Sequence, residues 1–134
     1  MKPTLETLDK FTVQQVFNFV AEHLIKQGQP SLLEKNNICF NNCAYRSLNS
    51  EGNKISCAVG CLISDANYDE SIENTPVASV LEQPVYRDID ISDYMMELLT
   101  DLQDIHDTNV NSWGNLPFAF KKLAEIRNLN YNER

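Results

Sequence analysis

Residues 38–63, ICFNNCAYRSLNSEGNKISCAVGCLI, decide the fold. Two segments, Ile38 to Leu48 and Lys54 to Ile63, flank Asn49-Ser50-Glu51-Gly52-Asn53, a cluster of turn formers. That arrangement predicts an antiparallel β-hairpin over about 38–63. Cys39, Cys43, Cys57 and Cys61 lie along it as C-x3-C-x13-C-x3-C. Successive side chains of a strand face opposite sides, so Tyr45 and Arg46 should divide between the interior and the outside.

Outward from the hairpin the pattern turns helical. Upstream, Val13, Val16, Phe17, Val20 and Leu24 recur at three- and four-residue steps, which stacks them on one face of a helix over about 12–27. Thr12 with Gln15 fits a capping box, and Gly28 fits a left-handed stop. Downstream, the acidic stretch Asp65 to Thr75 reads as a loop with one helical turn. Thr75-Pro76 then opens a short helix over about 76–82, which Pro84 ends.

Ser92 caps a longer helix over about 92–108, with Met95, Leu98, Leu99, Leu102, Ile105 and His106 on or near its inner face. Pro117 opens the last helix, about 117–127, which carries Phe118, Phe120, Leu123, Ala124 and Ile126 and stops at Asn128. The fold class is therefore α+β: a mainly helical single domain, 1–134, in which one hairpin packs against three main helices and one short one. The segment Cys43 to Ile63 should be largely buried.

At 134 residues the chain has the length of one domain, and such a chain buries roughly two-thirds of the surface exposed when unfolded. Hydrophobic residues make up 43% and charged residues 22%, the balance of a folded protein rather than a disordered one. Nineteen acidic residues against eleven basic ones give a formal charge of −8. Such a charge repels phosphate backbones, so direct binding of nucleic acid is disfavoured, whereas a basic partner surface is attracted. No apolar stretch suits a signal peptide or a membrane span, which points to the cytoplasm. In a reducing compartment the four cysteines are thiols or metal ligands rather than disulfides.

Four sets of residues carry candidate chemistry. Cys39, Cys43, Cys57 and Cys61 match the count for structural zinc, but cysteines four apart on an extended strand are separated by about 13 Å. They share one ion only if Gly60 turns the chain or Cys61 starts a helix. Otherwise Cys57 and Cys61 are small buried hydrophobes, and no cofactor is expected. A thiol catalyst would use Cys57 or Cys43 as nucleophile, His106 as base, and Asp107 or Asp69 to orient it. Against this, His106 lies beside an apolar stripe and suits packing. Asp107 should point about 100° away from it on a regular helix unless the helix ends there.

Arg46, with Tyr45 beside it, is a candidate for binding an anionic ligand, and an ion pair with Asp65 or Asp69 is the simpler expectation. His23 flanks the inner face of its helix and needs only a polar neighbour. On the 92–108 helix, Glu97, Asp101 and Asp104 form one acidic row with no basic residue in it. With Asp65, Asp69, Glu70 and Glu73 they form either a solvated face or a docking surface for a basic partner. No glycine-rich phosphate loop, dinucleotide fingerprint, two-histidine helix motif or calcium-loop pattern occurs.

The strings Cys43-Ala44-Tyr45-Arg46, then Gly52 and Lys54, then Cys57-Ala58-Val59-Gly60-Cys61-Leu62-Ile63 resemble a widespread family of small proteins encoded by phages, prophages and bacterial mobile elements. The likeness extends to His23-Leu24, Gln27-Gly28, Asp65, Tyr68-Asp69, Leu102-Gln103, His106-Asp107, Trp113 and Leu123-Ala124. The family pattern matches Cys43, Cys57 and Cys61, with Cys39 particular to this chain. That family has no settled activity, so the resemblance implies an origin and a fold rather than a reaction.

Together with small size and acidity, it leads to the expectation of a non-enzymatic accessory protein that binds a host macromolecule to inhibit or regulate a host or defence system. Two alternatives stand beside it. One is a small-molecule-binding or thiol-dependent protein whose pocket joins Cys43, Tyr45, Arg46, Cys57, His106 and Asp107. The other is a zinc-stabilised interaction module.

Overall fold

The structure, a computed structural model, describes residues 1–32 and 43–132. Local sequence determines the helix boundaries. Helix α1, Val13–Gln27, starts at a complete Thr12/Gln15 capping box and ends at Gly28, whose φ of 73° is left-handed. Helix α2, Val77–Leu81, is preceded by Pro76 as its N-cap. The expected Thr75 cap is displaced by one residue, and the Thr75 hydroxyl instead donates to the Ile72 carbonyl at 2.6 Å. Helix α3, Asp93–Thr108, is capped by Ser92, which accepts from the Met95 amide. Helix α4, Leu116–Arg127, ends at left-handed Asn128.

The hairpin is present but shorter than expected. Strands β1, Arg46–Leu48, and β2, Lys54–Ser56, pair antiparallel, with Arg46 opposite Ser56 and Leu48 opposite Lys54. Its turn is organised by Asn49, whose side chain accepts from the amides of Glu51 and Asn53, both at 2.9 Å. Beyond Ser56 the chain leaves the strand, because Gly60–Leu62 form a 3-10 helix and the Cys61 amide bonds back to the Cys57 carbonyl. The first part of the predicted hairpin, 38–42 with Cys39, lies outside the described residues. Cys43 forms an antiparallel bridge with Leu32, and the Ala44 amide donates to Ser31.

Helices α1, α3 and α4 pack on one another, and α1 and α3 also meet the chain that leaves the hairpin. Ala58, Val59 and Leu62 enter the same apolar cluster as Val16, Phe17 and Leu98. The rings of Phe17 and Phe120 meet edge to face, with centroids 6.1 Å apart, and both are wholly buried. Burial of each contributes about 2–3 kcal/mol. The base of the ribbon is therefore in the core, and its turn is exposed.

Short 3-10 helices at Pro84–Tyr86 and Trp113–Asn115 were not anticipated, nor was one near the N-terminus. Leu5–Lys10 form a 3-10 helix that buries Leu5 and Leu8. Their spacing of three matches the 3.0-residue turn of that helix, which a search for the 3.6-residue period passes over. Among the described residues, no helix is long and apolar enough to cross a membrane.

Candidate functional site

Helix α3 brings His106 under the loop that follows α1, where its side chain is completely buried. The Ser31 amide donates to His106 Nε2 at 3.0 Å, so that nitrogen must be the unprotonated one. The ring proton then sits on Nδ1 and donates to Asp107 Oδ1 at 2.9 Å. The expectation that Asp107 would point away from His106 is overturned. Its stated exception applies, because α3 ends at Thr108 and the carboxylate of the last turn can bend back.

Asp107 collects donors from separate parts of the chain. Gln103 Nε2 donates to it at 2.8 Å, while Gln103 Oε1 accepts from the Val59 amide at 3.0 Å. The Cys43 thiol is also hydrogen-bonded to this carboxylate. Burial alone would raise the Asp107 pKa, yet bonds from His106, Cys43 and Gln103 outweigh it and hold the group below its ordinary value. Trp113 closes the far side, its ring edge-on to His106 at 5.4 Å and its Nε1 donating to the Leu24 carbonyl.

This arrangement does not activate a thiol. Burial pushes Cys57 up to about 12, and the charge of Asp107 adds to that effect. Burial also raises Cys43, and the hydrogen bond and charge of Asp107 raise it further. Both nitrogens of His106 are committed, so no free base faces either sulfur. Iodoacetamide should therefore alkylate Cys43 and Cys57 at least about tenfold more slowly in the native protein than in urea, as peptide mapping would measure. Faster reaction of the native thiols would restore the catalytic reading.

The metal reading can be tested on the same atoms. One ligand atom each from Cys43, His106 and Asp107 lie within 4.8 Å of one another. A metal on His106 Nδ1 would move the imidazole proton to Nε2, where it would oppose the Ser31 N–H. The donor set therefore fits a hydrogen-bonded cluster better than an ion. Of the four expected cysteine ligands, Cys61 turns its thiol to the Ala58 carbonyl at 3.0 Å, and Cys57 Sγ accepts from the Gly60 amide at 3.4 Å. Cys39 lies outside the described residues.

Tyr45, at a bend just before β1, and Arg46, the first residue of β1, have different surroundings. Tyr45 is buried and donates to the Thr75 carbonyl at 2.5 Å. Arg46 is paired with Asp65 at 2.7 Å, donates to the Ile63 carbonyl at 2.7 Å, and stacks over Tyr68. Glu73 belongs to this structure rather than to a free surface. It accepts from the amides of Tyr45 and Arg46 and from the Tyr68 hydroxyl at 2.6 Å. Asp69 is exposed and accepts from the Ser71 amide at 2.8 Å.

The acidic row on α3 is partly neutralised from outside its own helix. Arg127 of α4 binds Glu97 at 3.0 Å and Asp101 at 2.6 Å, a partner that an inspection of α3 alone could not supply. Asp104 stays exposed, and burial together with Asp107 and Asp101 raises its pKa. A cavity of about 440 Å³ opens beside this end of the helix, lined by Cys43, Cys57, Thr75, Thr100, Asp104 and Asp107.

Sequence reasoning missed Ser31, and it named Gln27 and Gln103 only within the resemblance, without a role. Gln27 takes the Ser56 amide at 2.9 Å and donates to the Ser56 carbonyl at 2.9 Å, which ties α1 to β2. Gln103 also carried a local signal, its position one turn before Asp107.

Fold and site together define a helix-dominated α+β domain in which a partly buried Ser31-His106-Asp107-Gln103 network ties the loop after α1 and the chain beyond β2 to α3. Comparison with family models, curated proteins and solved structures finds no match for this chain.

Proposed function

We propose that this chain is a non-enzymatic accessory protein, of phage or mobile-element type, that docks its acidic exterior on a basic host macromolecule in the cytoplasm and so inhibits or regulates a host or defence system. One observation carries the reading. The groups able to do chemistry are spent on one another, whereas Asp69, Glu70, Asp88, Asp90, Asp93 and Asp104 remain exposed and, among the described residues, without a basic partner. Their field extends about 8–10 Å at physiological salt, enough to steer a basic surface toward the domain. The resemblance to mobile-element proteins supplies the biological setting.

Capture of partners from a bacterial lysate, followed by titration of the purified pair, tests the reading. Affinity should fall steeply as salt rises, and Asp69→Lys/Glu70→Lys/Asp104→Lys should abolish capture. Salt-independent affinity would sink it.

A second reading has its own support in the 440 Å³ cavity beside Cys43 and Asp107, whose size suits a small ligand. It is a binding reading, because the thiols there are held protonated.

A further inference from the structure

A separate cavity, of about 380 Å³, is lined by Lys2, His23, Arg46 and Lys54. Three of the eleven lysines and arginines and one of the two histidines thus meet at a single hollow in a chain of net charge −8. Dispersed counter-charges on an acidic surface would not converge in this way.

The four groups are not equivalent. Arg46 is committed to Asp65 and to the Ile63 carbonyl, so Asp65 at the same cavity is already balanced. Lys2 and Lys54 are exposed and, among the described residues, pair with no carboxylate. A lysine ammonium is a compact charge with three rotatable donors, which suits the tetrahedral oxygens of a phosphate, whereas planar carboxylates favour the arginine fork. His23 Nε2 faces the Ser56 hydroxyl at 3.0 Å and its carbonyl at 3.4 Å. The remaining walls include Phe19 and Ile55, an apolar surface beside the cations.

We propose that this cavity binds a small phosphate monoester, its phosphate between Lys2 and Lys54 and its organic group against Phe19 and Ile55. The site is independent of the acidic docking face. A small ligand suits it better than a nucleic-acid backbone, whose many charges meet the long-range repulsion of the whole protein. Burial first, and then the charge of Lys2, lower the His23 pKa against hydrogen bonds to Ser56 and Gln27, so a bound dianion would raise it and make the ring a reporter.

Titration with phenyl phosphate, followed by amide and imidazole NMR shifts of the full chain, tests the site. Saturable shifts are expected at His23, at 54–56 and at 60–65, with inorganic phosphate binding more weakly because it lacks the ring. Lys2→Glu/Lys54→Glu should keep the native circular dichroism, both positions being exposed, and weaken phenyl phosphate by more than about tenfold. Absence of saturation at about 20 mM phenyl phosphate overturns the proposal, as do shifts centred on Lys121 and Lys122. Unchanged affinity in the folded double variant also overturns it, and equal affinity for the two probes overturns the monoester assignment.

Discussion

Gly60→Ala should destabilise the protein by more than about 3 kcal/mol, enough to leave much of it unfolded. A β-carbon at this position would run into the Tyr45 carbonyl oxygen, with the Tyr45 carbonyl carbon at 2.8 Å and its α-carbon at 2.9 Å. These are backbone atoms, so no rotamer change relieves the overlap. Tyr45 cannot retreat either, because its amide is held by Glu73 and its hydroxyl by Thr75. The glycine is required for space, since its φ is not left-handed. Urea denaturation measures the loss, and Gly114→Ala is the control, because a β-carbon there meets nothing within 4 Å. A Gly60→Ala midpoint equal to that of the parent chain would mean that the ribbon does not pack on itself in this way.

His106→Ala should cost about 3–5 kcal/mol. The substitution leaves a cavity at a fully buried position, strands the Ser31 amide, and removes a donor from Asp107. It also changes the response to acid. In the parent chain the folded Asp107 pKa is depressed, so its contribution is complete above the unfolded value of about 3.9 and is lost as pH falls through the lower folded value. Without His106 the first of the bonds opposing burial disappears and the folded pKa rises toward the unfolded value, so the part of the acid-induced loss of stability that Asp107 causes should shrink. Urea midpoints measured between about pH 3 and 7 read both effects. A loss below about 1 kcal/mol with an unchanged slope on the acid side would show that the network contributes little.

Much of the fold was legible because its signals are local. Thr12 with Gln15, Gly28, Ser92 and Asn128 act on backbone groups within one turn of themselves, and each bounds a helix where expected. The ribbon's exit was misjudged for the converse reason. Cys57 to Ile63 is as apolar as a buried strand, and what bends it into a 3-10 helix is the close approach of Gly60 to Tyr45, fifteen residues away.

The polar site was legible only in its parts. Cys43, Cys57, His106 and Asp107 were named as candidates, and the structure brings Cys43, His106 and Asp107 together. Their chemistry was not readable, because it depends on Ser31, 75 residues from His106, which selects the ring tautomer. The acidic row needed Arg127, 30 residues from Glu97 and 26 from Asp101.

The sequence by itself determined where helices α1 to α4 lie and about where they start and stop, that a hairpin lies among them, and that the exterior is acidic. These depend on periodicity, capping and composition, which act over a few residues or over none in particular. Only the tertiary structure decided that Cys43, Cys57 and Cys61 stay protonated, that His106 and Asp107 bond to each other, and that Lys2, His23, Arg46 and Lys54 share a hollow. Each of those outcomes is set by groups distant in the chain, whose desolvation and hydrogen bonds exist only once the core has closed around them.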